Sequence, residues 1–149
     1  MRLLLRIGLV LTALGEGIPT LWAAVSPLSF QLGFPTPELA WLTEFPPYNE
    51  HMTRDFGLIG LQFAVILGYA AVSMRHALVR AVLAASLVFN VPHLIYHQHH
   101  GATGNAVPLQ VISQAAPIAL AVLLLVVNEL ANRPAPAADR QEQVSRESS

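Results

Sequence analysis

Four long apolar stretches constrain this chain more than any other feature of its sequence. They lie at about residues 3–25, 56–74, 77–98 and 106–130. A helix needs roughly 20 apolar residues to cross the hydrocarbon core of a bilayer, and each stretch meets that length. Backbone groups cannot stay unpaired in lipid, so we predict that all four are helices. The predicted fold is an all-α, integral membrane four-helix antiparallel bundle.

Composition agrees with a membrane environment and narrows the possible functions. Only 11% of the residues are charged, against about 25% in an ordinary soluble domain. The chain has no cysteine, which excludes disulfides, thiolate metal ligands and a cysteine nucleophile. A net charge of -1 offers no basic surface for nucleic acid. The expected partners are membrane lipid, a lipid-soluble small molecule, and either further copies of the chain or a larger membrane complex.

We divide the chain into a membrane domain, residues 1–131, and a tail, residues 132–149. The tail is rich in Pro, Ala, Ser and charge, which is typical of a disordered segment, here cytoplasmic. The first span could also be read as a secretory signal, because arginines precede it. Glu16 and the nearby glycines and proline argue for a retained, packed helix instead.

The segment of residues 26–55 between the first two spans is predicted to be an amphipathic outer loop. Thr36 as N-cap and Pro37 at the first helical position favour a short helix through Phe45. Such a helix would place Trp41 among the lipid headgroups. We interpret the aromatic residues of this loop as interfacial anchors.

The distribution of arginine predicts the orientation in the membrane. Seven of the eight arginines fall on the side of the two termini, and only Arg54 falls on the other. Cytoplasmic loops are enriched in basic residues, so both termini are expected in the cytoplasm of a multi-pass protein of the cell membrane.

Polar side chains concentrate in the predicted outer half of the bundle. On the third span, Asn90, His93 and His97 share one helical face. The start of the second span, the first span and the fourth span contribute further polar residues, namely Glu50, His51, Asp55, Glu16 and Gln114. Ionisable groups within a membrane are costly and usually mark a functional site.

The favoured hypothesis is a metal or small-cofactor site, with redox chemistry on a lipid-soluble substrate. His93 and His97, with His51, would supply imidazoles, and Glu50 or Asp55 a carboxylate. Such a set suits zinc or non-haem iron, and a haem held between two histidines is a variant of it. Glu16 and Asp55 are the candidate catalytic groups, and Asn90 and Gln114 are candidates for cofactor binding.

Three other hypotheses remain open at this point. The polar groups could line a pocket for a quinone or lipid, or they could only hold the helices together. The chain could also be a non-catalytic accessory subunit that packs through a face of small residues on the second span, Gly57, Gly60, Ala64 and Gly68. Whether the protein is an enzyme stays undecided among these hypotheses.

Two motifs resemble a known family. The run Pro47-Tyr48-Asn49-Glu50-His51 followed by Arg54-Asp55-Phe56-Gly57, together with Val91-Pro92-His93-Leu94-Ile95-Tyr96-His97, is similar to small four-span actinobacterial membrane proteins of unknown function. These are distantly DoxX-like, a group linked to quinone-coupled oxidation of sulfur compounds. The resemblance implies a shared polar set that adds Asn49 and Arg54 to the candidate cofactor-binding residues.

Overall fold

The computed structural model describes residues 1–45, 47–101 and 103–132, and it confirms the predicted fold class. No strand occurs within these ranges. Four helices are long and apolar enough to cross a membrane. The protein is therefore a multi-pass membrane protein built as an all-α four-helix bundle. Of the predicted tail, only Asn132 belongs to the described residues.

The chain forms five α-helices, of which all but the short second one span the membrane. Their bounds are Arg2–Val25 (α1), Pro27–Gly33 (α2), Glu50–Ser73 (α3), His76–His99 (α4) and Val107–Ala131 (α5). Three of the four spanning helices, α1, α4 and α5, agree with the predicted spans within two residues at both ends. The second span begins six residues earlier than predicted, since its polar first turns are helical and are capped by the Asn49 side chain.

The outer surface of the bundle is covered with aliphatic side chains. Leu3, Val72 and Val88, from three different helices, are each more than two-thirds exposed. A soluble protein rarely presents apolar patches wider than a few hundred Å², whereas lipid is a suitable environment for such a surface. The apolar residues that the core does not use are thus lipid-facing.

The helices run up and down, so both described termini lie at one end of the bundle, the terminus end. The α1–α2 and α4–α5 connections lie at the other, the loop end. α1 packs mainly against α3, and α4 against α5. The buried apolar core lies in the terminus half, and its largest fully buried members are Leu9, Leu67, Val79 and Leu83.

The segment between α2 and α3 differs from its prediction. Instead of one helix through Phe45, it forms two 3-10 turns, Pro37–Leu39 and Trp41–Glu44. Thr36 precedes the first turn without capping it. The Glu38 backbone N–H and the Thr36 hydroxyl both donate to the Glu38 carboxylate and hold the pKa of that group below its ordinary value.

The predicted face of small residues on α3 is used inside the protein. At Gly57, a Cβ atom would lie 2.6 Å from the Thr20 carbonyl oxygen and 2.9 Å from the Ala24 Cα, both on α1. A Cβ on Gly17 of α1 would meet Ala64 at 3.3 Å. Glycine thus lets the two backbones approach closely, as small residues do in membrane helix pairs.

The two glycines of α3 at positions 57 and 68 offer a matched test of this close approach. A Cβ on Gly68 would meet nothing within 4 Å, so Gly68→Ala should stabilise the helix by up to ~1 kcal/mol through propensity alone. Gly57→Ala should lower the free energy of unfolding by about 1–3 kcal/mol, because its methyl group overlaps backbone atoms of α1. Thermal unfolding in detergent, followed by circular dichroism, measures both. If Gly57→Ala also raised the melting temperature, the close approach would be wrong.

Candidate functional site

A cavity of about 630 Å³ lies in the loop half of the bundle. All four spanning helices line it, and α2 and the segment around Trp41 close it at the loop end. Its volume lies within the range of roughly 300–1,000 Å³ typical of small-molecule sites. The core fills only the terminus half, so the cavity occupies the space between the two helix pairs that the core leaves.

Aromatic side chains form one wall of the cavity. Phe30 and Trp41 line it and are only 5% and 4% exposed. The Phe34 ring lies between them, with centroids 4.9 Å from Phe30 and 5.6 Å from Trp41. Phe56 of α3 stacks on Phe30 at 6.2 Å. The interpretation of Phe30 and Trp41 as lipid-headgroup anchors is wrong, because both face the protein interior.

Contacts between loops hold this aromatic wall over the cavity. The Gln31 side-chain amide donates to the Leu42 carbonyl, which fastens the second 3-10 turn to α2. The Glu44 carboxylate accepts the Thr103 backbone N–H at 3.1 Å, joining the first long loop to the α4–α5 connection. The Gln31 hydrogen bond is partly buried, and the Glu44 hydrogen bond is exposed.

A strip of polar side chains crosses the cavity from α1 to α4. The Asn90 amide nitrogen donates to the Ser86 carbonyl at 2.9 Å and to the Ser86 hydroxyl at 3.1 Å. The Glu16 carboxyl lies close enough to the Asn90 side chain for the two to interact electrostatically. Asn90 is buried and Glu16 is half-buried. The structure thus brings together two predicted site residues from helices that are far apart in the sequence.

The two histidines of α4 extend the strip toward the loop end. The His93 and His97 rings are 4.5 Å apart between centroids and meet edge to face. Phe89 stacks on His93 at 5.0 Å. The buried Gln110 amide nitrogen lies 3.0 Å from His97 Nδ1, which fixes the orientation of that ring. His100, just beyond the end of α4, is exposed and stacks on Tyr96.

Gln114 of α5 completes the polar lining. Its side chain is 9% exposed and lines the cavity. The Gln114 Oε1 atom is buried and accepts no hydrogen bond from any described residue. The other buried amide of the lining, Asn90, hydrogen-bonds Ser86 rather than Gln114.

The predicted ligands at the start of α3 lie outside the cavity. His51 Nε2 is 3.3 Å from Asp55 Oδ2, with the two side chains 85% and 50% exposed. Glu50 is exposed as well, and none of the three lines the cavity with His93 and His97. Within the described part of the chain, no three His, Asp or Glu side chains are placed to hold a metal ion. Metal binding at His93 and His97 stays a prediction, without the carboxylate proposed to complete it.

Asn49 and Arg54, added by the family resemblance, make structural contacts. The Asn49 side chain accepts the Met52 backbone N–H at 3.1 Å and caps α3. Arg54 donates to the Ala24 carbonyl at 2.6 Å and to Glu50 at 2.9 Å. Ala24 is in the last turn of α1, where carbonyls have no partner in the helix and the dipole favours a cation. Arg54 therefore joins the start of α3 to the end of α1, where Gly57 of the same motif also packs.

Sequence reasoning missed the apolar lining of the cavity, chiefly Phe30, Phe34, Trp41, Phe56 and Phe89. One available signal was the density of aromatic residues in a loop that also carries five prolines. Such a loop is stiff enough to cover a site. Nothing in the sequence showed which of these rings turn inward.

Comparisons with known proteins give no match: no family model, no curated protein and no solved structure is similar to this chain.

Arg54 and His51 provide a test of the roles assigned at the start of α3. Arg54→Met keeps the length of the side chain but leaves the Ala24 carbonyl without its donor, so we expect a loss of about 1–3 kcal/mol in unfolding free energy. His51→Ala removes an exposed group and should change stability by less than ~0.5 kcal/mol. Chemical denaturation in detergent measures both. Equal effects of the two variants would contradict the assignment.

Proposed function

We propose that this protein binds a lipid-soluble small molecule in the loop-half cavity, as a quinone- or lipid-binding module. The observation that carries the proposal is a cavity, lined by all four spanning helices, that combines an aromatic wall with a short polar strip. Binding sites for small molecules are mostly apolar, with a few polar groups that fix the orientation of the ligand. An apolar ligand can also reach such a cavity from the bilayer.

The polar strip supplies the groups that a redox-active ligand would require. Glu16, His93 and His97 can each take up or release a proton, and all three line the same cavity. A carboxyl group inside a membrane span is rarely retained without a role. Redox chemistry on the bound molecule is the form of activity that these groups would serve, with Glu16 rather than Asp55 as the acid or base.

Quinone is the ligand class that the family resemblance would imply. The DoxX-like group is linked to quinone-coupled oxidation, and a quinone has a planar ring with an apolar chain. The aromatic wall suits the ring, and the groups of the polar strip suit its oxygen atoms. The metal hypothesis has less support, because its proposed carboxylates are exposed on α3.

We also propose that both termini are cytoplasmic. The supporting observation is the position of Arg2, Arg6, Arg75 and Arg80 at the terminus end of the bundle, with Arg54 at the loop end. The cavity then lies in the outer half of the membrane. Its ligand would be drawn from the outer leaflet.

Two glycines with open surroundings give a matched test of ligand binding. Gly15 lines the cavity, Gly68 does not, and a Cβ on either would meet nothing within 4 Å. Decylubiquinone should quench the fluorescence of wild type through Trp41. Gly15→Leu should weaken this binding at least tenfold by filling the cavity, a loss of about 1.4 kcal/mol or more. Gly68→Leu should bind as wild type does.

Saturable quenching that is equal in wild type and Gly15→Leu would place the ligand elsewhere and overturn the proposal. Elemental analysis of the same detergent-purified samples gives a second check. About one zinc or iron per chain, lost in the His93→Ala/His97→Ala double variant, would replace ligand binding by the metal hypothesis.

The orientation can be tested directly, because the chain has no native cysteine. Single cysteines at the exposed positions Glu38 and Ala77 lie near opposite ends of the bundle. A membrane-impermeant maleimide added to intact cells should label Glu38→Cys and spare Ala77→Cys until the cells are opened. The reverse pattern would show that the termini face outward.

A further inference from the structure

The Gln114 amide in the cavity wall has incomplete hydrogen bonding. Its Oε1 atom is buried, belongs to a side chain that is 91% covered, and has no donor among the residues that the structure describes. Leaving such a buried acceptor unpaired is energetically costly. A ligand that donates a hydrogen bond at this point would remove that cost.

A second acceptor lies on α1. The Glu16 carboxyl lines the cavity beside Asn90. A carboxyl group accepts hydrogen bonds in either protonation state, at about four positions when ionised and at fewer when it carries its one O–H donor. The walls of the cavity on α1 and α5 therefore both present acceptors.

The wall on α4 presents a donor. The Gln110 amide nitrogen can only donate, so His97 Nδ1, 3.0 Å away, accepts this bond. The hydrogen-bond network thus assigns the proton of the neutral His97 ring to Nε2. Because His97 lines the cavity and its Nδ1 is occupied, Nε2–H is the polar group that it can offer to a ligand.

We propose that the head of the ligand is an aromatic hydroxyl group, as in a lipid-soluble phenol or hydroquinone. This inference rests on the proposed function. A hydroxyl donates one hydrogen bond and also accepts, so it can donate to Gln114 Oε1 and accept a hydrogen bond from His97 Nε2–H. A quinone carbonyl only accepts, and it would leave Gln114 Oε1 unpaired. The cavity therefore favours the hydroxyl-bearing form of its ligand over the keto form.

The aromatic nature of the head follows from the surrounding rings. Phe30, Phe34 and Trp41 line one side of the cavity, and Phe89 stacked on His93 lines another. Aromatic rings attract each other through offset-stacked or edge-to-face contacts, in addition to the effect of burial. An aliphatic alcohol would satisfy the hydrogen bonds without these contacts.

A pair of probes that differ only in the donor tests the proposal. Para-nonylphenol has the hydroxyl, and its methyl ether, para-nonylanisole, keeps the ring, the chain and the acceptor oxygen. Both are titrated into full-length protein in detergent, with tryptophan fluorescence as the signal. Signal that persists in Gly15→Leu is subtracted as partition into the micelle.

Wild type should bind the phenol about tenfold more tightly than the ether, as expected for one hydrogen bond to a buried group. Gln114→Met removes the acceptor at similar volume and should reduce this ratio to about one, mainly by weakening the phenol. Gln62→Met changes an exposed residue of α3 outside the cavity and should keep the tenfold ratio. A ratio due only to the bulk of the methyl group would survive in Gln114→Met and overturn the proposal.

The failures of the two proposals can be told apart. Equal affinity of wild type for both probes, with binding lost in Gly15→Leu, would overturn the hydroxyl assignment and leave the ligand cavity in place. Absence of cavity-dependent binding for both probes would overturn both. Should Gln114→Met fail to fold, the ratio in wild type still decides the hydroxyl assignment.

Discussion

The close approach of α1 and α3 is the interaction on which the rest of this structure depends. Glycine at position 57 brings the α3 backbone against Thr20 and Ala24, and Arg54 then reaches the last turn of α1. Two helices in such contact leave no room for side chains between them. The faces of α1 and α3 that point toward the α4–α5 pair meet it through large aliphatic side chains only in the terminus half. The space between the pairs at the loop end is the cavity.

The sequence predicts the helices well because lipid imposes a simple rule on them. A span must be apolar, about 20 residues long and fully hydrogen-bonded within itself, so length and hydropathy are enough to locate it. The segment between α2 and α3 follows no such rule. Its turns depend on contacts such as Gln31 with Leu42, between residues whose pairing has no signature in the sequence. The predicted helix there was therefore wrong.

Only part of the candidate site was predictable from the sequence, and the reason is physical. Asn90, His93 and His97 share a face of one helix, and a polar face on an apolar span must turn inward. Glu50, His51 and Asp55 lie on the first turns of α3, near the membrane surface, where polar groups can face water at little cost. Hydrophobicity therefore does not decide their direction. In the structure α3 packs on α1 at Gly57, and these three residues lie outside the cavity.

The confinement of the apolar core to the terminus half makes local stability unequal along the bundle axis. Native proteins open in cooperative units, and those with few buried apolar contacts open at the lowest free energy. At the loop end, the wall over the cavity is held by contacts among a few aromatic rings and by loop hydrogen bonds, because the main aliphatic core does not extend there. Amide protons there should exchange with solvent long before those around Leu67 and Leu83. Entry of the proposed ligand into the cavity would thus require only a local opening of the loop end, with the spanning helices still folded.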